Sequence, residues 1–337
     1  MQERTGILAA VGNTPLVKLE KLLDRPKFNL YAKLEFLNPG GSIKDRPATQ
    51  MLLEALKKGK IDKQTTIVES SSGNLAIGLA QACTYLGLRL ICVMDIKSTI
   101  ANRKIVEAYG ATVDLVEDPD RVTGGFLQAR IQRVQELLDR TPNSFNCNQY
   151  ANTDNPLAHH QTMGEIATAL GDRVDYLFCA TSSCGSLRGC AEYITQRGLK
   201  TQIVAVDARG SVVFGDEAKK RLIPGHGASR VPELFQPHLA STHVLISDLE
   251  CVTGCRRLLN REAIFAGGSS GAIVAAILKF QEKIPADANC AAIFYDRGER
   301  YLDTVYSDSW VYEHFGNAAC FWSPTAAQRE TTVNQST

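Results

Sequence analysis

Short β-branched and apolar runs alternate with helical patterns along most of this 337-residue chain. That alternation predicts an α/β fold of βαβ units, with mostly parallel sheets covered by helices on both faces. Two further observations agree with it. The strand-to-helix turns are built from Ser, Gly and Cys, and a composition of 44% hydrophobic and 22% charged residues is ordinary for a globular enzyme. The length favours two domains over one small core. Ligands of such sheets bind beyond the carboxyl ends of the strands, so the turns after Glu69 and Ala180 are the places to look.

The elements follow in order. Asn38-Pro39-Gly40-Gly41-Ser42-Ile43-Lys44-Asp45-Arg46 reads as a loop entering a helix, with Ser42 as N-cap and Asp45 as a first-turn acid. Lys44 is poorly placed at the positive end of a helix dipole, and burial would lower its pKa further. Such a lysine suits Schiff-base chemistry, while a solvated helix-start lysine is the plain alternative. A strand over 66–69, a Ser/Gly turn and a helix over about 74–86 come next. Then follow a strand at 88–94, a helix near 100–109, a strand at 112–116 and a helix from about 125 to 138. Residues 143–156, rich in Asn and Gln, look like a crossing between two halves. Beyond them lie a strand at 176–180, a helix near 187–196, a strand at 202–207, a helix at 249–260, a helix after Gly271 and a strand at 291–295. The small, polar residues 321–337 predict a disordered tail.

Composition excludes several classes. A net charge of +1 gives no footprint for nucleic acid or an anionic membrane, and the Lys57, Lys58, Lys60 cluster reads as a solvated helix end. The ten cysteines form no CxxC pair, and the six histidines do not fall at zinc-ligand spacing from them. No metal is expected; reduced, buried thiols and a cytoplasmic location are. His159 and His160, being adjacent, point apart on a helix and make a poor metal pair. No apolar run is long enough for a membrane span, and no signal peptide pattern opens the chain.

Three motifs carry chemistry. Ser70-Ser71-Ser72-Gly73-Asn74 offers hydroxyls and helix-start amides suited to a carboxylate, or is a plain capped turn. Thr181-Ser182-Ser183-Cys184-Gly185-Ser186 repeats the arrangement, and its small residues let amides approach a phosphate. It is neither a Walker A loop nor GxGxxG, which disfavours ATP and dinucleotides. Gly267-Gly268-Ser269-Ser270-Gly271 formally matches the GxSxG elbow of α/β-hydrolases, but His314 is the one histidine beyond it.

With Val11-Gly12-Asn13-Thr14-Pro15-Leu16-Val17 added, these motifs occur in an order that resembles the cysteine synthase/cystathionine β-synthase family, the fold-type II pyridoxal-phosphate (PLP) enzymes. The resemblance runs from about residue 5 to 315 and implies two three-layer αβα domains. Residues 1–45 with 150–320 would form the larger, PLP-binding domain, and 46–149 a smaller, mobile substrate domain. It also implies that Lys44 carries PLP as a Schiff base and acts as general base. Asn74 would bind the ring hydroxyl, Ser182, Ser183, Cys184, Gly185 and Ser186 the phosphate, and Ser269 the pyridine nitrogen. A serine there leaves the pyridine largely neutral, which favours β-elimination and hence β-replacement.

Departures from plain cysteine synthases stand at Leu75, where those enzymes usually have Thr, and in the SSCGS loop. A second motif set, with Asn148-Gln149-Tyr150-Ala151-Asn152, the segments 206–215 and 224–232, and Asp296-Arg297-Gly298-Glu299-Arg300-Tyr301-Leu302-Asp303, is similar to the siderophore-associated branch. These are the N-(2-amino-2-carboxyethyl)-L-glutamate synthases that serve staphyloferrin B biosynthesis. The branch implies O-phospho-L-serine and L-glutamate as substrates, 2,3-diaminopropionate as the downstream product, and a homodimer. Arg130, with Tyr150 and Ser182, is the expected clamp for the leaving phosphate. Arg230 is a second candidate for that phosphate or for the glutamate carboxylate, and Gln149 with Ser71, Ser72 and Gly73 would hold the α-carboxylate. A cysteine synthase using sulfide with O-acetylserine or O-phosphoserine is the rival in class, and a catalytically silent binding protein the rival outside it.

Overall fold

A computed structural model describes residues 4–120, 125–318 and 322; the expected tail over 321–337 lies, apart from Trp322, outside them. The chain opens with β1 (Leu16–Lys18), β2 (Asn29–Leu34) and α1 (Asp45–Lys57). There follow β3 (Thr66–Ser70), α2 (Asn74–Leu86), β4 (Arg89–Asp95), α3 (Ile100–Ala108), β5 (Thr112–Val116), α4 (Phe126–Arg140) and β6 (Ser144–Phe145). The remainder comprises α5 (Asp154–Ala169), β7 (Tyr176–Ala180), α6 (Gly185–Arg197), β8 (Gln202–Ala208), β9 (Thr242–Ile246), α7 (Asp248–Glu262), α8 (Gly268–Phe280), β10 (Asn289–Phe294) and α9 (Asp308–Phe315).

These strands form two sheets, as the α/β expectation required. The larger runs β1-β2-β10-β7-β8-β9 and is parallel except where β1 meets β2, while the smaller runs β5-β4-β3-β6 and is parallel throughout. Central strands of such sheets are buried on both faces. In β3, Ile67 joins the core under α1 and α2 with Leu52 and Leu79, whereas Val68 packs with Val93 and Val134 under α4. Leu75 belongs to the first of these cores and is 2% exposed. Its departure from the usual threonine therefore fills core, not site.

Glycines set the closest helix contacts. A Cβ on Gly254 of α7 would stand 2.1 Å from the Gly271 carbonyl oxygen of α8, and one on Gly271 would stand 2.2 Å from the Cys251 carbonyl oxygen. Gly189 brings α6 equally close to α5, where a Cβ would meet the Pro156 carbonyl oxygen at 2.1 Å.

The expected crossing at 143–156 holds β6 and the start of α5. The strands β1, β2, β6 and β9, most of α5 and all of α9 were not anticipated. In β2 the reason is Lys33, a charged residue that is nonetheless 2% exposed because Glu165 of α5 pairs with it. Arg46 of α1 completes that cluster. It binds both carboxylate oxygens of Glu35 at 2.7 Å and both of Glu165 at 2.8 and 2.7 Å. Burial opposes the charge of Arg46, but the two carboxylates more than reverse this. Burial likewise opposes ionisation of Glu165, yet Arg46 and Lys33 hold its pKa at about 2. Among the described residues, no helix is long and apolar enough to cross a membrane.

Candidate active site

Lys44 ends a tightly held loop. The Gly12 amide donates to Asn38 Oδ1 at 2.9 Å, the Ile43 amide to the Tyr295 carbonyl at 2.8 Å, and the Gly40 amide to the Asp45 carboxylate. The N-cap position of α1 is Lys44, not Ser42, and no side chain caps the helix. Ser42 instead accepts a bond from the Lys44 amide at 3.2 Å, two residues too early to reach the first turn. Asp45 is in the first turn as expected, but burial pushes its carboxyl up to about 7. Lys44 Nζ donates to Ser183 Oγ at 3.3 Å, and burial lowers its pKa to about 8. The amine is thus readily deprotonated near neutral pH.

Ser183 lies in the turn between β7 and α6. Cys184 there takes a left-handed φ of 61°, and at Gly185 a Cβ would stand 2.1 Å from Asn155 Oδ1. The first amides of α6 have no intrahelical acceptor and face the end of the turn, which makes an anion cradle. Ser182 and Ser186 are half-buried beside it. The Cys184 thiol adds no donor to the cradle. It packs with Val213, Ala228 and Leu234, and burial raises its pKa to about 12.

A bonded chain links this cradle to a cavity. Asn155 Nδ2 donates to Ser183 Oγ at 3.5 Å and to the Gln149 carbonyl at 2.7 Å, and Gln149 lines the cavity. The cavity holds about 360 Å³ and sits over the carboxyl ends of β3 and β4. Its walls are the turn Ser70–Asn74, the β4–α3 loop with Asp95, Lys97, Ser98 and Thr99, then Leu127 and Arg130 of α4, Tyr150, Gly225, Arg300 and Tyr301. Ser269, 2% exposed in the first turn of α8, lies behind Gly225, where a Cβ would stand 3.7 Å from its hydroxyl.

Within the walls, Ser71 Oγ accepts from the Ala76 amide at 3.2 Å and closes the turn. Ser72 Oγ donates to Asp95 at 3.1 Å and accepts from Arg130. Arg130 Nε also pairs with Asp95 at 3.2 Å, so its charge is largely met inside the protein. Tyr150 has its hydroxyl pKa raised by burial, with Arg130 and Arg230 pulling it back down. Arg230 is exposed and absent from the cavity wall; its guanidinium carbon lies 5.3 Å from the Tyr150 ring centroid. Asn74 is held at both ends, Nδ2 donating to Asp296 at 2.8 Å and Oδ1 accepting from Arg300.

The structure adds residues that sequence reasoning did not assign to the site. Asp95 ends β4 and Lys97 follows it, Asp296 and Arg300 follow β10, and Glu69 ends the apolar stretch of β3. These are strand ends too, so the rule that selected the turns after Glu69 and Ala180 also applies here; only the Ser/Gly signature is lacking. Glu69, raised to about 7 by burial, accepts the Asn148 amide at 2.8 Å and so ties the turn before Gln149 and Tyr150 to β3. The GxSxG match is not a nucleophile elbow: Gly267–Gly271 follows helix α7, and the exposed His314 bonds the Trp310 carbonyl at 2.8 Å within α9. Adjacent His159 and His160 do diverge, one to Thr162 and the other to Glu192.

An easily deprotonated lysine beside a helix-start anion cradle, with a buried serine and a fixed amide nearby, has the donor set that PLP requires. The chain matches the family model described as pyridoxal-phosphate dependent enzyme over residues 7–296, and it belongs to that family. PLP is its cofactor. Within that class it is a cysteine synthase/cystathionine β-synthase-like, fold-type II protein. It is similar to an O-acetylserine dependent cystathionine β-synthase from Helicobacter pylori, at 32% identity and a TM-score of 0.84, covering 91% of this chain and 100% of that one. It is also similar to a cysteine synthase from Entamoeba histolytica, at 30% identity and 0.84, covering 91% and 92%. An O-ureido-L-serine synthase matches at 30% identity and 0.82, covering 92% and 96%.

Proposed function

We propose that this enzyme performs β-replacement, joining O-phospho-L-serine to L-glutamate and releasing phosphate to give N-(2-amino-2-carboxyethyl)-L-glutamate. The product would supply 2,3-diaminopropionate for siderophore biosynthesis. The observation that carries the reading is the charge of the cavity wall, where Lys97, Arg130 and Arg300 face a single carboxylate, Asp95, among many hydroxyls. Such a wall suits substrates bearing phosphate and carboxylate groups. The names of the similar proteins, an O-acetylserine dependent enzyme and an O-ureido-L-serine synthase, support β-replacement on serine derivatives.

Bound PLP supplies the electron sink for bond breaking at Cα and Cβ of the amino acid. Lys44 would hold it, with the Ser182–Ser186 turn on its phosphate, Asn74 at the ring hydroxyl and Ser269 at the pyridine nitrogen. Arg300 and Asp296 keep the Asn74 amide in one orientation, its oxygen toward the cation and its nitrogen toward the carboxylate. Once its amine is free, Lys44 takes the proton from Cα, a task helped by its lowered pKa of about 8. Ser71, Ser72, Gly73 and Gln149 would hold the α-carboxylate, and Arg130, Tyr150 and Ser182 the leaving phosphate. Arg230 acts on the site through Tyr150. Residues 46–149 would move as the smaller substrate domain against 1–45 and 150–320, in a cytoplasmic homodimer.

A second reading, a cysteine synthase acting with sulfide, is favoured by the Arg130–Asp95 pair, because an arginine already paired suits O-acetylserine, whose ester is uncharged until it departs as monoanionic acetate, better than a phosphate dianion. The test is product mass from enzyme given O-phosphoserine or O-acetylserine with glutamate or sulfide. The glutamate adduct with release of phosphate is the expected result, and brisk cysteine formation without any adduct would sink the first reading.

A further inference from the structure

We propose that Lys97, with Thr99 and Leu127 beside it, forms the subsite for the side-chain carboxylate of the amino-acid nucleophile. The inference rests on the reading that the second substrate is an amino acid. It starts from the three cations of the cavity wall. Arg130 is paired with Asp95, and Arg300 donates to the Asn74 side chain and the Gly40 carbonyl. The Lys97 ammonium lies over the Phe126 ring, 4.9 Å from its centroid, and among the described residues no carboxylate pairs with it. Of the three, Lys97 alone has a charged group with neither an ion pair nor a hydrogen bond among the described residues, and its flexible stem lets it follow a ligand.

The Ser70–Asn74 turn, the expected seat of the first substrate's carboxylate, and the β4–α3 loop that carries Lys97 line the same cavity. That loop is well fixed: Asp95 Oδ1 accepts the Lys97 amide at 2.9 Å, and Thr99 Oγ1 accepts the Asn102 amide at 3.2 Å. Asn102 in turn donates to the Ser72 carbonyl at 3.2 Å, which holds the loop against the first turn. Leu127 supplies an apolar wall in the same cavity. A cation next to an apolar wall suits a short methylene chain ending in a carboxylate. Sulfide has neither feature, so the subsite would discriminate among nucleophiles.

The test compares holoenzyme with Lys97→Met, which keeps the stem and removes the charge, and with Lys97→Arg, which keeps the charge. Glutamate and glutamine, which differ chiefly in that terminal charge, serve as alternative nucleophiles, with calorimetric binding of each as a second readout. Wild type should prefer glutamate. Lys97→Met should raise the glutamate KM about tenfold, equivalent to about 1.4 kcal/mol, and abolish the preference, while Lys97→Arg retains it. If wild type uses glutamate and Lys97→Met keeps the full preference over glutamine, the subsite is wrong and the function stands. If no amino acid reacts with wild type, both fall.

Discussion

Lys44 shows how much a single burial can alter chemistry. A helix-start lysine in water stays charged at neutral pH, whereas here desolvation brings the amine to about 8. The sign is fixed by that depression: the neutral, nucleophilic form grows as pH rises through about 8 and is lost below it. Uptake of PLP by apoprotein, followed by intact mass after borohydride reduction, should therefore quicken about tenfold per pH unit below that value and level off above it. Lys44→Ala should give no reduced adduct. A rate that keeps rising about tenfold per unit through about pH 9 without levelling would show an amine unperturbed by its surroundings.

Among elements, the α7–α8 pair has the least slack. Gly254 and Gly271 let the two backbones touch, and Ser269 rides on the first turn of α8. Gly254→Ala should cost about 1–3 kcal/mol through overpacking, read as a lower denaturant midpoint. An unchanged midpoint would mean that the helices part without cost. Elements also divide by how readily they were seen in advance. β3, β4, β7, β8 and β10 are interior strands whose neighbours on both faces are apolar, so their own residues announce them. β2 contains Lys33, whose burial depends on Glu165 far along the chain, and no local pattern reveals such a partner. α5 carries Pro156, Gly164 and two histidines, which blur its period.

At the scale of the molecule, the same contrast governs the site. Turns rich in Ser and Gly marked two of its walls, because small residues advertise close approach of backbone to ligand. Asp95, Lys97, Asp296 and Arg300 are ordinary charged residues until folding brings two sheets' strand ends together. Arg46 shows what such long-range meeting stabilises. It joins α1, the turn after β2 and α5 through the buried carboxylate of Glu35 and the half-buried one of Glu165. Arg46→Met should leave Glu35 without its guanidinium and lower stability by about 3–5 kcal/mol in urea unfolding. A loss under about 1 kcal/mol would mean that the cluster relaxes around the gap.

The nine described cysteines are all buried and unpaired, including Cys184 beside the lysine loop; Cys320 lies outside the described residues. A thiol reagent in solution consequently finds no ready target on the native surface they share. Its reaction with any of them has to wait for the chain to open. The cysteines thus form a distributed internal clock, in which the order of labelling ranks the two cores by how often each one breathes.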